Sequence, residues 1–236
     1  RECSIRRVGD KVCVLKSANQ RARAHVAATQ SRMTRAKAYI DRMNGWRGGS
    51  LELVKYEGLP IGAAAPDFSL PAVDGKTYSL ASFRDKPVLA VAFWCNHCPY
   101  VQAWEERTIA VQRDYAGRGV QFVMINANDA ESYPEDDFPN MVERSKRKGY
   151  NFPYLRDESQ KVAESYGAVC TPDFFVFDSA RKLRYRGKLD DSKEPKNVKT
   201  QVMREVLDAV LTGKQPPTTF VPPMGCSIKW KSDHWR

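Results

Sequence analysis

The residues Val88–Val101 read V-L-A-V-A-F-W-C-N-H-C-P-Y-V, and this stretch decides the fold of the chain. Pro87 precedes an apolar run, Val88–Trp94, which is too short for the core of a helix and therefore predicts a strand that is buried on both faces. A helical pattern of apolar residues follows the two cysteines. A strand that leads through C-x-x-C into a helix puts Cys95 at or just before a helix N-terminus, where free N–H groups stabilise a thiolate.

The spacing of the two cysteines predicts a centre for thiol–disulfide exchange. Cys98 follows Cys95 by about one helical turn, so the two side chains can form a small disulfide ring. In that chemistry Cys95 attacks a substrate disulfide and Cys98 resolves the mixed disulfide. His97 stands between them and can be protonated near neutral pH, and a nearby positive charge lowers the pKa of a thiol.

A metal site is the alternative reading of C-x-x-C. Half of a zinc or iron–sulfur site would need a second ligand pair, and the sequence contains no second C-x-x-C and no C-x-x-H. We therefore predict a redox centre with no metal and no cofactor. Its partners would be proteins that carry disulfides or dithiols.

The composition limits the architectures that the chain as a whole can adopt. With 236 residues, 42% of them hydrophobic, the chain has enough material for one ordinary domain and an extension. No apolar stretch approaches the roughly 18 residues that a membrane span needs, so we predict that the chain is not transmembrane. The 6 cysteines are too few and too irregularly spaced for a disulfide scaffold in a chain of this length.

The charge is concentrated at the N-terminus. Residues 1–50 hold 12 Lys and Arg against 3 acidic residues, a net charge of +9, whereas the remainder holds 26 basic and 25 acidic residues. We therefore predict a basic arm at residues 1–50 and a catalytic domain at 51–236 that includes a Pro-rich C-terminal tail. Apolar residues from Ala22 to Met43 recur at spacings of four and three, which predicts that the arm is helical.

The arm suggests a location and a second hypothesis about function. It is rich in Arg, Ala and Ser, and it does not begin with Met, which is typical of an organellar transit peptide or its remnant, in a chloroplast or mitochondrion; the alternative is the cytoplasm. Such an arm suits an acidic protein, an anionic lipid surface or RNA. Because it lacks interleaved aromatic residues and a strongly apolar stripe, we favour a protein partner. The chain would then be an accessory subunit of a larger organellar assembly.

The motif W-C-N-H-C-P-Y-V resembles the active site of the thioredoxin superfamily. More narrowly, the chain is similar to the peroxiredoxin-like redoxin branch, the alkyl hydroperoxide reductase/thiol-specific antioxidant group. The resemblance covers about Leu59–Lys231 and rests on an ordered set of further motifs: A-P-D-F-S-L at Ala65–Leu70, I-N-A-N-D at Ile125–Asp129, F-P-Y-L-R-D-E-S-Q at Phe152–Gln160, Y-G-A-V-C-T-P-D-F-F at Tyr166–Phe175, Y-R-G-K-L-D-D at Tyr185–Asp191 and G-C-S-I-K-W-K at Gly225–Lys231. It implies a thioredoxin-like α/β fold with a central mixed sheet flanked by helices, preceded here by the basic helical arm.

The resemblance also implies site residues beyond the two cysteines. In thioredoxin-like proteins the proline that matches Pro172 is cis and faces the C-x-x-C, where it shapes the groove for substrate. On this basis we expect Trp94, Thr171 and Pro172 to bind substrate. Cys170 would lie nearby and would serve as an accessory thiol, or else as a small buried apolar residue, which is the usual role of a free cysteine.

Two departures from the family pattern concern the chemistry. Peroxiredoxins carry a Thr or Ser that helps to position peroxide, and none lies between Pro87 and Cys95, which puts peroxidase activity in doubt. Thioredoxins carry a buried Asp six residues before the first cysteine as the proton acceptor for the inner thiol. Leu89 occupies that position here, so another base, or water, must do that work.

Overall fold

The computed structural model describes residues 58–232 and, before them, the backbone of two strands, β1 (Glu2–Val8) and β2 (Lys11–Lys16). The strands that follow are β3 (Ser69–Pro71), β4 (Thr77–Ser79), β5 (Val88–Phe93), β6 (Val120–Asn126), β7 (Tyr154–Arg156), β8 (Cys170–Thr171), β9 (Asp173–Phe177), β10 (Leu183–Gly187) and β11 (Met224–Ser227). The α-helices are α1 (Pro99–Ala116), α2 (Phe138–Lys148), α3 (Lys161–Ser165) and α4 (Val202–Leu211), and short 3₁₀ turns lie at Leu80–Phe83, Pro134–Asp136 and Pro195–Asn197.

The central sheet is built around β5, as the apolar run predicts. Its strand order is β10-β9-β5-β6-β7, and every residue of β5 is buried. The strands β5, β6 and β7 run parallel, whereas β9 is antiparallel to both of its neighbours, β5 and β10. The predicted α/β fold with a mixed central sheet flanked by helices is therefore confirmed.

Two hydrophobic cores cover the two faces of this sheet, because alternate side chains of β5 point in opposite directions. Val88, Ala90 and Ala92 belong to the core that contains α1 and α4. Leu89, Val91 and Phe93 belong to the opposite core, which is closed by α3 and by the hairpin of β3 and β4, and whose members include Phe68, Leu70, Phe83, Val162, Ala163 and Tyr166.

A second sheet joins the N-terminal strands to the domain. Its order is β2-β1-β11-β8, and β1 pairs antiparallel with both β2 and β11. The sequence predicted a helical arm over residues 1–50, so the hairpin at its start corrects that prediction for residues 2–16. The predicted helix from Ala22 to Met43 lies outside the described residues, and the division of the chain at residue 50 stays a prediction.

No α-helix in the described part of the chain is both long enough and apolar enough to span a bilayer.

Candidate active site

The two cysteines of C-N-H-C lie in the turn that connects β5 to α1. The Trp94 N–H still donates to the Ile125 carbonyl at 2.8 Å, so pairing with the neighbouring strand continues to the residue before Cys95. The helix begins at Pro99 and Cys98 is its N-cap residue. The helix therefore starts later than the sequence predicted, and its N-terminal N–H groups lie next to Cys98 rather than Cys95.

Both cysteine side chains converge on Thr171 in β8. The Cys95 sulfur lies 3.0 Å from the Thr171 hydroxyl, and the Cys98 thiol donates to the Thr171 carbonyl at 3.1 Å. The Thr171–Pro172 peptide bond is cis, the isomer that the resemblance implies. The structure thus brings Cys95, Cys98, Thr171 and Pro172 together, although they are about 75 residues apart in the chain.

A buried carboxylate, Asp136, holds the cysteine turn in place. One of its oxygens accepts the Asn96 N–H at 2.6 Å, and the other accepts from His97 Nδ1 at 2.7 Å and from Asn128 Nδ2 at 2.6 Å. Burial alone would raise the pKa of Asp136, but the hydrogen bonds from His97, Asn128 and the Asn96 N–H outweigh burial and lower it. Asp136 is therefore an ionised group beside the redox pair.

The Asn96 side chain also holds the cysteine turn in place, through hydrogen bonds to partners other than Asp136. Its amide donates to the Glu135 carbonyl at 2.8 Å and accepts from the Tyr154 hydroxyl at 3.0 Å. Gln102 of α1 donates to the Asn96 carbonyl at 3.0 Å. Three different elements thus fix the backbone between the cysteines.

His97 pairs with Asp136 and stacks on an exposed aromatic ring. Its imidazole lies parallel to Tyr133, with ring centroids 5.6 Å apart. The hydrogen bond to Asp136 raises the pKa of His97, although burial opposes that shift. The positive charge that was predicted to act on the cysteines is therefore present over a wider pH range, but it lies against the Asp136 carboxylate.

The surroundings of the redox pair shift the pKa values of its two thiols in opposite directions. Burial raises the pKa of Cys95, and a hydrogen bond to Cys98 and the charge of Asp136 add to that shift. The pKa of Cys98 is lowered by hydrogen bonds from Cys226 and Cys95 and by the Val101 N–H at the start of α1. The neighbouring thiols account for most of the lowering at Cys98, and the Val101 N–H of the helix that begins at Pro99 adds to it.

Trp94 and Cys170 lie deeper than their predicted roles suggest. Trp94 is fully buried, and its indole N–H donates to the Tyr150 hydroxyl at 3.1 Å, so it presents no surface to a substrate in this structure. Cys170 is also buried, with its thiol 4.0 Å from the Pro172 carbonyl. Because successive side chains of a strand point to opposite faces, Cys170 points away from the face on which Thr171 meets the cysteines. Roles for Trp94 in substrate binding and for Cys170 as an accessory thiol stay predictions.

Three side chains at this site are of the kinds that bind metal ions. Cys95, His97 and Asp136 offer a sulfur, a nitrogen and an oxygen that all lie within 4.8 Å of one another. Both oxygens of Asp136, however, already accept hydrogen bonds, so a metal would have to displace them. The arrangement as built therefore suits thiol chemistry.

Sequence reasoning missed Asp136. Asp136 lies in a run of three acidic residues, Glu135–Asp137, which reads as a solvent-exposed surface until the fold turns it inward.

The chain matches a known family over more than half of its length. The profile of the AhpC/TSA family matches residues 61–186. The chain belongs to the AhpC/TSA family. This bears out the resemblance to the redoxin branch that the motifs indicate.

Individual relatives agree with this assignment. The chain is similar to a hypothetical protein from Sinorhizobium meliloti 1021, whose crystal structure matches with a TM-score of 0.70. The two sequences are 45% identical, and the match covers 75% of this chain and 97% of that one. A thioredoxin family thiol:disulfide interchange protein from Chlorobium tepidum TLS is 25% identical, with a TM-score of 0.52, covering 64% of this chain and 97% of that one. The thiol-disulfide oxidoreductase ResA of Geobacillus thermodenitrificans is 25% identical over 126 residues, which are 52% of this chain and 67% of that protein. The fold of this family member is thioredoxin-like.

Proposed function

We propose that this protein is a thiol–disulfide oxidoreductase whose redox pair is Cys95 and Cys98 and whose substrates are protein disulfides and dithiols. The observation that carries the proposal is the convergence of both sulfurs on Thr171, at 3.0 and 3.1 Å, beside the cis Pro172. The relatives named as thiol-disulfide oxidoreductases support the same reaction class.

The reaction is a sequence of two thiol–disulfide exchanges. Cys95 loses its proton and attacks one sulfur of a substrate disulfide, the substrate S–S bond breaks, a mixed disulfide forms at Cys95, and the departing substrate thiolate takes up a proton. Cys98 then attacks the Cys95 sulfur, and its proton goes to the departing substrate thiolate. Two electrons pass from the pair to the substrate, and the reverse sequence oxidises a substrate dithiol.

An insulin-reduction assay with the full chain tests the proposal. Wild type should reduce insulin with dithiothreitol as electron donor, and Cys95→Ser should lower the rate at least about 100-fold, because the nucleophile is lost. Cys170→Ser is the matched control, since this buried cysteine lies outside the proposed pair, and its rate should be unchanged. Equal rates for wild type and Cys95→Ser would rule out the mechanism.

A trapping experiment tests the order of attack. Cys98→Ser should accumulate a mixed disulfide between Cys95 and a substrate peptide, because no second thiol resolves it. If Cys95→Ser accumulates the substrate at Cys98 instead, the order of attack is reversed.

The asymmetric charge favours a second candidate role, that of an organellar subunit docked to an acidic protein through residues 1–50. The net charge of +9 in this segment, against +1 for the remainder, supports the proposal. The test should leave β1 and β2 intact, because β1 pairs with β11. Replacing the 7 Lys and Arg of residues 17–50 by Gln should abolish co-purification with the partner and leave insulin reduction unchanged. If the substituted protein still co-purifies with the partner, and raised salt does not release it, the docking role is wrong.

A further inference from the structure

A third cysteine lies beside the redox pair. Cys226 in β11 is directly opposite Thr171 in β8, in an antiparallel pair. Side chains that are directly opposite in such a pair share a face. Cys226 therefore lies on the face of Thr171 that Cys95 and Cys98 contact, at 3.0 and 3.1 Å respectively.

Cys98 interacts with both of the other thiols. Interaction with Cys226 and Cys95 lowers the pKa of Cys98, and interaction with Cys98 raises the pKa of Cys226. All three side chains belong to the same hydrophobic core, and the exposed fractions are 0% for Cys95 and Cys98 and 7% for Cys226. Cys170, the remaining cysteine among residues 58–232, lies opposite Ser227 and on the other face of its strand.

A glycine brings Cys226 to this place. A Cβ atom added at Gly225 would lie 1.9 Å from the Thr171 carbonyl oxygen, a separation that no side chain permits. Only a residue without a side chain allows β11 to approach β8 this closely. The close approach and the shared face are backbone features that do not depend on the protonation of any thiol.

We propose that Cys226 is a third redox-active thiol, and that the disulfide migrates from Cys95–Cys98 to Cys98–Cys226. This proposal rests on the proposed function, which supplies the first disulfide. The Cys226 thiolate attacks the Cys98 sulfur, the bond between Cys98 and Cys95 breaks, and Cys95 leaves as a thiolate that accepts the proton lost by Cys226. The exchange has no net oxidation or reduction and needs no further oxidant.

The consequence is an oxidised protein with a free nucleophile. In the Cys95–Cys98 form, the sulfur that attacks substrates is blocked. In the Cys98–Cys226 form, Cys95 is again a thiol and can attack a substrate disulfide while the oxidising equivalents stay in the protein. The third cysteine thus gives a single fold two disulfide states that differ in whether Cys95 is reactive.

Mass spectrometry of the full chain tests the proposal. Cys95→Ser is equilibrated in glutathione buffers of increasing oxidised fraction, alkylated and digested with trypsin. Cys98 and Cys226 fall on different tryptic peptides, since Arg107 and Lys214 lie between them. The expected result is a linked pair of these peptides that disappears in Cys95→Ser/Cys226→Ser and persists in the matched control Cys95→Ser/Cys170→Ser.

Two outcomes would overturn the inference. The first is the absence of the linked pair at every glutathione ratio in folded Cys95→Ser, with Cys95→Ala as a second variant in case the serine protein does not fold. The second is equal alkylation of Cys95 in oxidised wild type and in oxidised Cys226→Ser. The proposal expects at least fivefold less labelling of Cys95 in Cys226→Ser. Insulin reduction by wild type is read separately: if it persists while the linked pair is absent, the proposed function stands and only the role of Cys226 fails.

Discussion

Asp136 is the side chain on which the chemistry of the cysteine turn depends most. It is buried, it accepts hydrogen bonds from Asn96, His97 and Asn128, and its charge raises the pKa of Cys95. A single carboxylate thus holds the turn in place and also adds to the effect of burial, which raises the pKa of Cys95. These two effects can be separated, because an amide of the same shape retains the size of the group but removes its charge.

Asp136→Asn should therefore lower the pKa of Cys95, since the negative charge beside the sulfur is gone. The measurement is the rate of Cys95 alkylation by iodoacetamide as a function of pH, followed by mass spectrometry, and its midpoint should shift to lower pH. Asp137→Asn is the matched control, because the Asp137 side chain instead caps α2 through the Asn140 N–H at 2.8 Å. An unchanged or higher midpoint in Asp136→Asn would contradict this account.

The His97–Asp136 pair should make stability depend on pH. The folded-state pKa of His97 is raised, so its contribution is fully present below the unfolded value of about 6.5 and is lost as pH rises through the folded value. Asp136 has a lowered pKa, so the pair loses its other charge only in strong acid. Urea denaturation at pH 6 and pH 9 should show that His97→Gln costs about 1 kcal/mol more at pH 6, the size of a partly exposed charge-assisted hydrogen bond. An equal cost of His97→Gln at both pH values would refute the pair's role.

At the scale of elements, α1 is anchored to α2 by a buried ionic network. Glu105 is fully buried and accepts from Arg144 Nε at 2.8 Å and from Arg144 Nη2 at 3.0 Å, with Lys148 3.3 Å away. The Tyr150 hydroxyl also donates to Glu105 and accepts from the Trp94 indole. The network therefore runs from the interior of α2 to the residue that precedes Cys95.

Glu105→Ala should destabilise the fold by about 3–5 kcal/mol, because it leaves Arg144 buried without its partner. The measurement is the free energy of unfolding in urea. Glu143→Ala is the matched control on α2, since it breaks an exposed pair with Arg147, 3.0 Å apart, and should have little effect. Similar losses in the two variants would show that the buried network contributes no more than a surface pair.

At the scale of the whole molecule, β5 unites the two cores. Its odd and even residues pack into different hydrophobic cores, so a substitution that destabilises this strand weakens the packing on both faces of the sheet. The described domain should therefore unfold as one cooperative unit rather than one face at a time.

Leu89→Ala tests this cooperativity. Removing a fully buried leucine should cost about 2–5 kcal/mol. Unfolding followed by tryptophan fluorescence and by circular dichroism should move to lower urea together, since Trp94 lies in the core opposite to Leu89 and Trp230 packs against the core that contains Leu89. Ile61→Ala is the control, because Ile61 is 42% exposed and its loss should leave the midpoint nearly unchanged. Separate transitions for the two probes would contradict a shared core.

Much of this protein was determined by its sequence alone. The buried strand predicted at Val88–Trp94 and the helix that follows the two cysteines are indicated by local apolar patterns, and both were confirmed, the strand as Val88–Phe93. The C-x-x-C motif and the ordered family motifs were enough to indicate the family and the reaction class. These features can be predicted from the sequence because each depends on residues that are close together in the chain.

Only the tertiary structure decided which groups surround the sulfurs. Asp136 is 38 residues beyond Cys98, and Cys226 is 128 residues beyond it. Neither has a local pattern that distinguishes it from a surface acid or a structural cysteine. The structure also places the helix N-terminus beside Cys98 rather than Cys95, because the helix begins at Pro99, whose fixed φ suits a first helical residue. Electrostatic effects on a thiol act through space over a few ångströms, so they depend on which loops and strands the fold brings together rather than on order along the chain.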